Sequence, residues 1–162
     1  MAVIKIIRKI NDWAVIIAIA LLSIVVIAQV FARYLSHQPL TWSEEFARYC
    51  QIWMVMLGSA CMMRKGGHLA IDLLTAALPA PVKRVTDFIS YVAVIVFFGI
   101  VVYQGIFVTM NAAAQTSPAM GLHMSYVYAA LPVGGALILM EAIIRFVRFL
   151  RTGSADEPTP DK

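Results

Sequence analysis

"TWSEEFARYCQIWMVMLGSACMMRKGGHLAID", running from Thr41 to Asp72, is the stretch on which the reading of this chain turns. Its middle is apolar enough for lipid. Yet it opens on Glu44, Glu45 and Arg48 and closes on Arg64, Lys65, Gly66, Gly67 and His68. At about 1.5 Å per residue, a helix from Ser43 to Met63 is roughly 30 Å long, the thickness of a hydrocarbon layer. The charges at its two ends are what must be explained.

Working outward, three similar runs flank it: Trp13 to Tyr34, Thr86 to Met110, and Ser125 to Phe149. The chain has 162 residues, 61% of them hydrophobic and 14% charged. A soluble domain of that size could not hide so much apolar surface, so the bilayer must be its solvent. The runs are long and continuous and lack two-residue alternation, which selects helices over strands. The expectation is an all-α membrane protein with four transmembrane helices in a single domain, residues 1–151. The tail "TGSADEPTPDK", residues 152–162, is expected to be disordered and cytoplasmic. A cleaved signal peptide is the competing reading of the N-terminus. The first run is long enough to span, however, and no small-residue cleavage site follows it, so an uncleaved first helix is expected.

The net charge of +4 could suggest nucleic acid, but the basic residues cluster at the ends of apolar runs, where they mark membrane orientation. Lys5, Arg8 and Lys9 precede the first run, Arg64, Lys65, Lys83 and Arg84 separate the second from the third, and Arg145, Arg148 and Arg151 close the fourth. The loop "NAAAQTSPAMGLH" has neither Lys nor Arg, and the first loop has only Arg33 and Arg48 at its borders. Four spans put the basic regions on one side, with both termini cytoplasmic. Between Gly66 and Arg84, His68, Ala70, Asp72 and Thr75 interleave with Leu69, Ile71, Leu73, Leu74 and Leu78. This stretch is expected to form a short amphipathic helix in the membrane interface between the second and third spans, ended by Pro79 and Pro81.

Stepping 100° per residue along the second span from Glu44 brings Arg48, Gln51, Val55, Ser59 and Met62 onto one stripe, with Gly58 beside it. Trp42, Phe46, Trp53, Leu57 and Ala60 populate the far side. The polar stripe is expected to face protein, since small residues allow close approach and polar groups find partners there. Thr41 and Glu44 fit a capping box, with Ser43 an alternative cap. Glu44 and Arg48 stand at i,i+4, the favourable order, and all these charges can be read simply as the start of a helix at the interface. Glu141 is expected to pair with Arg145, and Asp87 with Arg84. Asn11 and Gln29 are expected to form interhelical hydrogen bonds.

No catalytic, cofactor or metal constellation emerges. Cys50 and Cys61 lie on one helix at roughly 16 Å, too far for a disulfide. His37, His68 and His123 lie in loops or at helix ends, whereas haem in a membrane bundle needs imidazoles inside the helices. The nine methionines read as packing. A small autonomous four-helix exporter would place a carboxylate in the middle of the first span, which here offers only Ser23 and Gln29. A membrane enzyme is disfavoured by the lack of a catalytic constellation, and the membrane anchor of a redox complex by the histidine positions.

The opening stretch resembles the signature of the small, DctQ-like membrane subunit of tripartite ATP-independent periplasmic (TRAP) transporters. The residues that carry the likeness are Glu44, Glu45, Arg48, Trp53, Gly58, Arg64, Gly67, His68 and Asp72, followed by Ser117, Pro118, Gly121, Tyr128 and Pro132. The resemblance implies a partner in a large membrane transport subunit and another in a periplasmic substrate-binding protein, with membrane lipid as surroundings and no nucleic acid. It also implies a bacterial or archaeal inner membrane, and organic-acid uptake driven by a sodium or proton gradient. Glu44, Glu45, Arg48, Gln51, Gly58, His68, Asp72, Pro118 and Pro132 are then expected to be structural or subunit-interface residues. Gly58 would permit close helix packing, and the Gly-Gly-His turn would redirect the chain into the interfacial helix.

Overall fold

A computed structural model describes residues 2–36, 40–65 and 80–152. Helix α1 runs Ala2–Phe31 and continues as a π-helical turn, Ala32–Ser36. Helix α2 is Thr41–Lys65 and α3 is Ala80–Asn111, closed by a 3₁₀ turn at Ala112–Ala114. A short α4, Met124–Tyr128, leads directly into α5, Ala130–Thr152. Among the described residues the sole β feature is an isolated antiparallel bridge between Thr116 and His123.

Among the described residues, three stretches are long and apolar enough to cross a membrane: Ile4–Leu35, Val82–Ala114 and Met124–Arg151. None of the most apolar stretch of α1 is buried, and Ile10, Ile24, Phe97 and Met110 are all at least 60% exposed. Such surface is untenable in water and ordinary in lipid. Helix α2, 25 residues long, is not among the three. Glu44, Glu45, Arg48, Gln51, Arg64 and Lys65 lower its hydropathy.

The helices begin earlier than the apolar runs suggest. Helix α1 takes in Lys5, Arg8 and Lys9, and α3 takes in Lys83 and Arg84. Pro81 sits in the first turn of α3, where its missing N–H would have had no partner anyway. The expected interfacial helix, with His68 and Asp72, lies outside the described residues.

Helix α2 packs against both α1 and α5, and α5 packs in turn against α3. The core is Ala60, Met63, Tyr91, Ile138, Ala142 and Phe149, with Tyr91 stacked between Phe146 and Phe149 at ring separations of 6.1 and 5.6 Å. Close approach is made possible by Gly134, where an added Cβ would lie 2.6 Å from the Met56 Cβ. Gly105 similarly admits Pro132, whose Cδ would be 3.1 Å from such an atom. The interruption at Ala129 between α4 and α5 has a local cause: Pro132 lacks the N–H that would bond to the Tyr128 carbonyl.

Two polar clasps and an exposed seam form the candidate functional site

Two polar clusters join the helices. We call the end holding Arg8 and Glu141 proximal, and the end holding Glu45 distal. At the distal end, residues 115–124 fold back tightly. Ser117 donates its N–H to the Leu122 carbonyl at 2.8 Å, Met124 to Gln115 at 2.9 Å, and Gly121 to Ser117 at 3.0 Å, with Gly121 at φ 65°. A positive φ at this turn is easily borne by glycine. The turn aims donors at one point, and the Glu45 carboxylate occupies it. It accepts from the Ser117 hydroxyl, from Ala119 N–H at 3.3 Å and from Met120 N–H at 3.2 Å. One and two turns further along α2, the Tyr49 hydroxyl donates to the Met124 sulfur at 3.6 Å and the Trp53 indole to the Tyr126 carbonyl at 3.2 Å. Glu45, Tyr49 and Trp53 stand at i, i+4 and i+8, so one face of α2 holds the whole distal loop.

At the proximal end, Arg8 grips Glu141 through two 2.7 Å hydrogen bonds. Arg64 donates to both oxygens of Asp12 at 3.0 Å. Asn11 Nδ2 donates to the Leu57 carbonyl at 3.1 Å and to the Cys61 sulfur at 3.0 Å, and the Cys61 thiol donates to Asp12 at 3.2 Å. Arg145 donates to the Met63 carbonyl at 3.0 Å, satisfying an acceptor in the last turns of α2. The expected Glu141–Arg145 pairing is therefore replaced: Glu141 reaches across to α1, and Arg145 to α2.

Within the chain, α2 turns its apolar side inward: Leu57 and Ala60 are buried, while Glu44, Arg48, Gln51, Val55 and Met62 are exposed. Gly58 has nothing within 4 Å of an added Cβ, and within the chain the close approach is at Gly134. Glu44 does not form a capping box. Its carboxylate accepts from Gln29 at 3.5 Å and lies 3.9 Å from Arg33, two exposed contacts of little energetic weight. Ser43 is fully buried and donates its hydroxyl to the Leu40 carbonyl at 2.6 Å. Pro118 lies exposed in the distal turn, and Pro132 packs against Gly105. Beside the exposed stripe, α1 and α3 flank an apolar groove of about 630 Å³ that includes Val15, Ile19, Gly58, Ser59, Val94 and Phe98.

Sequence reasoning missed Asp12, the Arg8–Glu141 pair and Gly134. Asp12 adjoined the expected first span and was given no role. Among the described residues no group of three His, Cys, Asp or Glu side chains is placed to hold a metal ion.

The described architecture defines a multi-pass membrane protein whose helices are joined by two polar clusters. The chain belongs to the family described as tripartite ATP-independent periplasmic transporters, DctQ component, matched over residues 22–152. It is 30% identical over 155 residues to the sialic acid TRAP transporter permease protein SiaT of Haemophilus influenzae, covering 95% of this chain and 25% of that one. It is 34% identical over 116 residues to the C4-dicarboxylate TRAP transporter small permease protein DctQ of Rhodobacter capsulatus, covering 70% of this chain and 51% of that one. With the sialic acid TRAP transporter small permease protein SiaQ of Vibrio cholerae it shares 25% identity over 147 residues, covering 91% and 85%.

Proposed function

We propose that this chain is the scaffolding subunit of a TRAP-type secondary transporter, seated against a large transport subunit and helping to dock a substrate-binding protein during ion-gradient-driven uptake of an organic acid. The observation that carries this reading is the seam on α2. Glu44, Arg48, Gln51, Val55, Gly58 and Met62 follow one another at spacings of four and three residues, and five of the six are exposed on the isolated chain. That spacing is the register of a helix that packs along another helix, and the open space over Gly58 suits close approach.

Helix α2 is read as the fourth span. Its first turns lie beside residues 117–120 and its last beside Asp12 and Arg145, so it runs the same distance as its apolar neighbours. The proximal end is cytoplasmic, which puts Arg8, Arg64 and Arg145 on the positive side. The distal loop then faces the periplasm, where Glu45 stiffens the surface offered to a binding protein. The relatives named for sialic acid and for C4-dicarboxylates support an organic acid as the solute.

A photo-crosslinking amino acid at Val55 or Met62 tests the seam in the assembled membrane complex. Both positions are expected to capture the large subunit. Capture of lipid alone from both would remove the seam as a subunit contact.

A further inference from the structure

The proximal clasp contains a polar atom that its helices leave unsatisfied. Asn11 is 8% exposed. Its amide nitrogen faces the Leu57 carbonyl, which is an acceptor and nothing else, so the amide cannot be turned the other way without setting two oxygens against each other. Oδ1 is therefore committed to the opposite direction, where among the described residues it accepts no hydrogen bond. A buried carbonyl oxygen in that condition calls for an explanation.

Asn11 lines a small cavity together with Arg8, Cys61, Arg64, Met140 and Glu141. The cavity leaves about 10 Å³ for the centre of a water-sized sphere. That is the room one water molecule requires and far less than an organic ligand requires. The lining does not call for an ion, since Arg8 is matched by Glu141 and Arg64 by Asp12. Hydrogen-bonding capacity remains, because a guanidinium has five N–H groups, of which Arg8 uses two on Glu141, and a carboxylate can accept about four bonds. We propose that this cavity is a binding site for one structural water, anchored on Asn11 Oδ1 and bridging α1 to the Arg8–Glu141 pair. Such a water would make the two to four hydrogen bonds that internal waters usually make. The proposal concerns the chain itself and does not depend on its transport role.

Solid-state NMR of the full-length chain in lipid vesicles tests it through magnetisation transfer from water protons. In the wild type, the Asn11 side-chain amide and the Met140 methyl are expected to receive water magnetisation at short mixing times, while the Ile138 methyl, 2% exposed, stays dark as a dry reference. In Asn11→Leu, the transfer to Met140 is expected to fall about tenfold. Absence of transfer to both groups in the wild type would show a dry seam and overturn the proposal. Undiminished transfer to Met140 in a folded Asn11→Leu would overturn it too, by showing water that does not depend on Asn11. If that variant fails to fold, the wild-type spectrum still decides between a wet and a dry cavity.

Discussion

Arg8 and Glu141 stand 133 positions apart in sequence, yet Arg8 Nε and Nη2 each donate at 2.7 Å to a different oxygen of the Glu141 carboxylate. The side chains are 14% and 4% exposed, so the pair is largely withdrawn from solvent. It fixes the first turns of α1 to the middle of α5, two helices whose main contacts are with other neighbours.

Removing one partner should therefore cost more than removing both. Arg8→Met leaves a buried carboxylate unpaired and is expected to destabilise the chain by about 3–5 kcal/mol. Combining it with Glu141→Leu should recover much of that loss. Equilibrium unfolding in mixed micelles, arranged as a double-mutant cycle, measures the coupling. Additive losses would mean that the pair contributes nothing as a pair.

The two glycines on the α2 side of the bundle should behave oppositely. Gly134→Ala places a methyl 2.6 Å from Met56 and is expected to destabilise the isolated chain by about 1–3 kcal/mol through overpacking. Gly58→Ala meets open space and should change its stability by no more than about 0.5 kcal/mol. Gly58→Leu should weaken co-purification of the large subunit instead. Equal stability losses at Gly58 and Gly134 would contradict this division.

Glu45 organises the distal loop through three donors. In Glu45→Ala, the Ala119 and Met120 amides lose their acceptor, and their hydrogen exchange is expected to quicken by about tenfold or more. Arg48→Ala should leave both amides at the wild-type rate, because Arg48 contributes none of these bonds. Matched acceleration in the two variants would show that a Glu45–Arg48 pair, not the turn, holds the loop.

Much of this architecture is legible in the sequence, and the losses have identifiable causes. Apolar runs with basic ends announce membrane helices, since lipid demands long unbroken segments whose backbone bonds close internally. Their ends are less visible. Helix α1 begins at Ala2, well before Trp13, because Arg8, Asn11 and Asp12 find partners on α2 and α5 and so remain part of the packed structure. Which side of α2 packs within the chain is hard to read for a related reason. Glu44 and Arg48 lie near the end of the helix, where polar groups need no burial, so they say little about which side packs. Local spacing rules likewise offered Arg145 to Glu141, whereas the fold supplied Arg8 from across the chain. Gly58 and Gly134 look alike as letters; what distinguishes them is Met56 standing over one of them.

The orientation proposed for the bundle is testable without purification. Reporter fusions after Lys162 and inserted at Gln115 should report opposite sides of the membrane, the first cytoplasmic and the second periplasmic. Both reporters on one side would mean that the segment between them does not have the single span assigned to it.

The central claim is that the chain supports transport without performing it. Among the described residues Glu45 is bound to a loop and Asp12 and Glu141 to arginines; Glu141 stands at the middle of α5 but is already held by Arg8, so neither Asp12 nor Glu141 is left open to form an ion site. The most direct measurement is gradient-driven uptake of a radiolabelled organic acid into proteoliposomes, in the presence of its binding protein. The full complex is expected to accumulate solute, and vesicles holding this chain alone to match empty ones. Uptake above the empty-vesicle level by the chain alone would contradict the account.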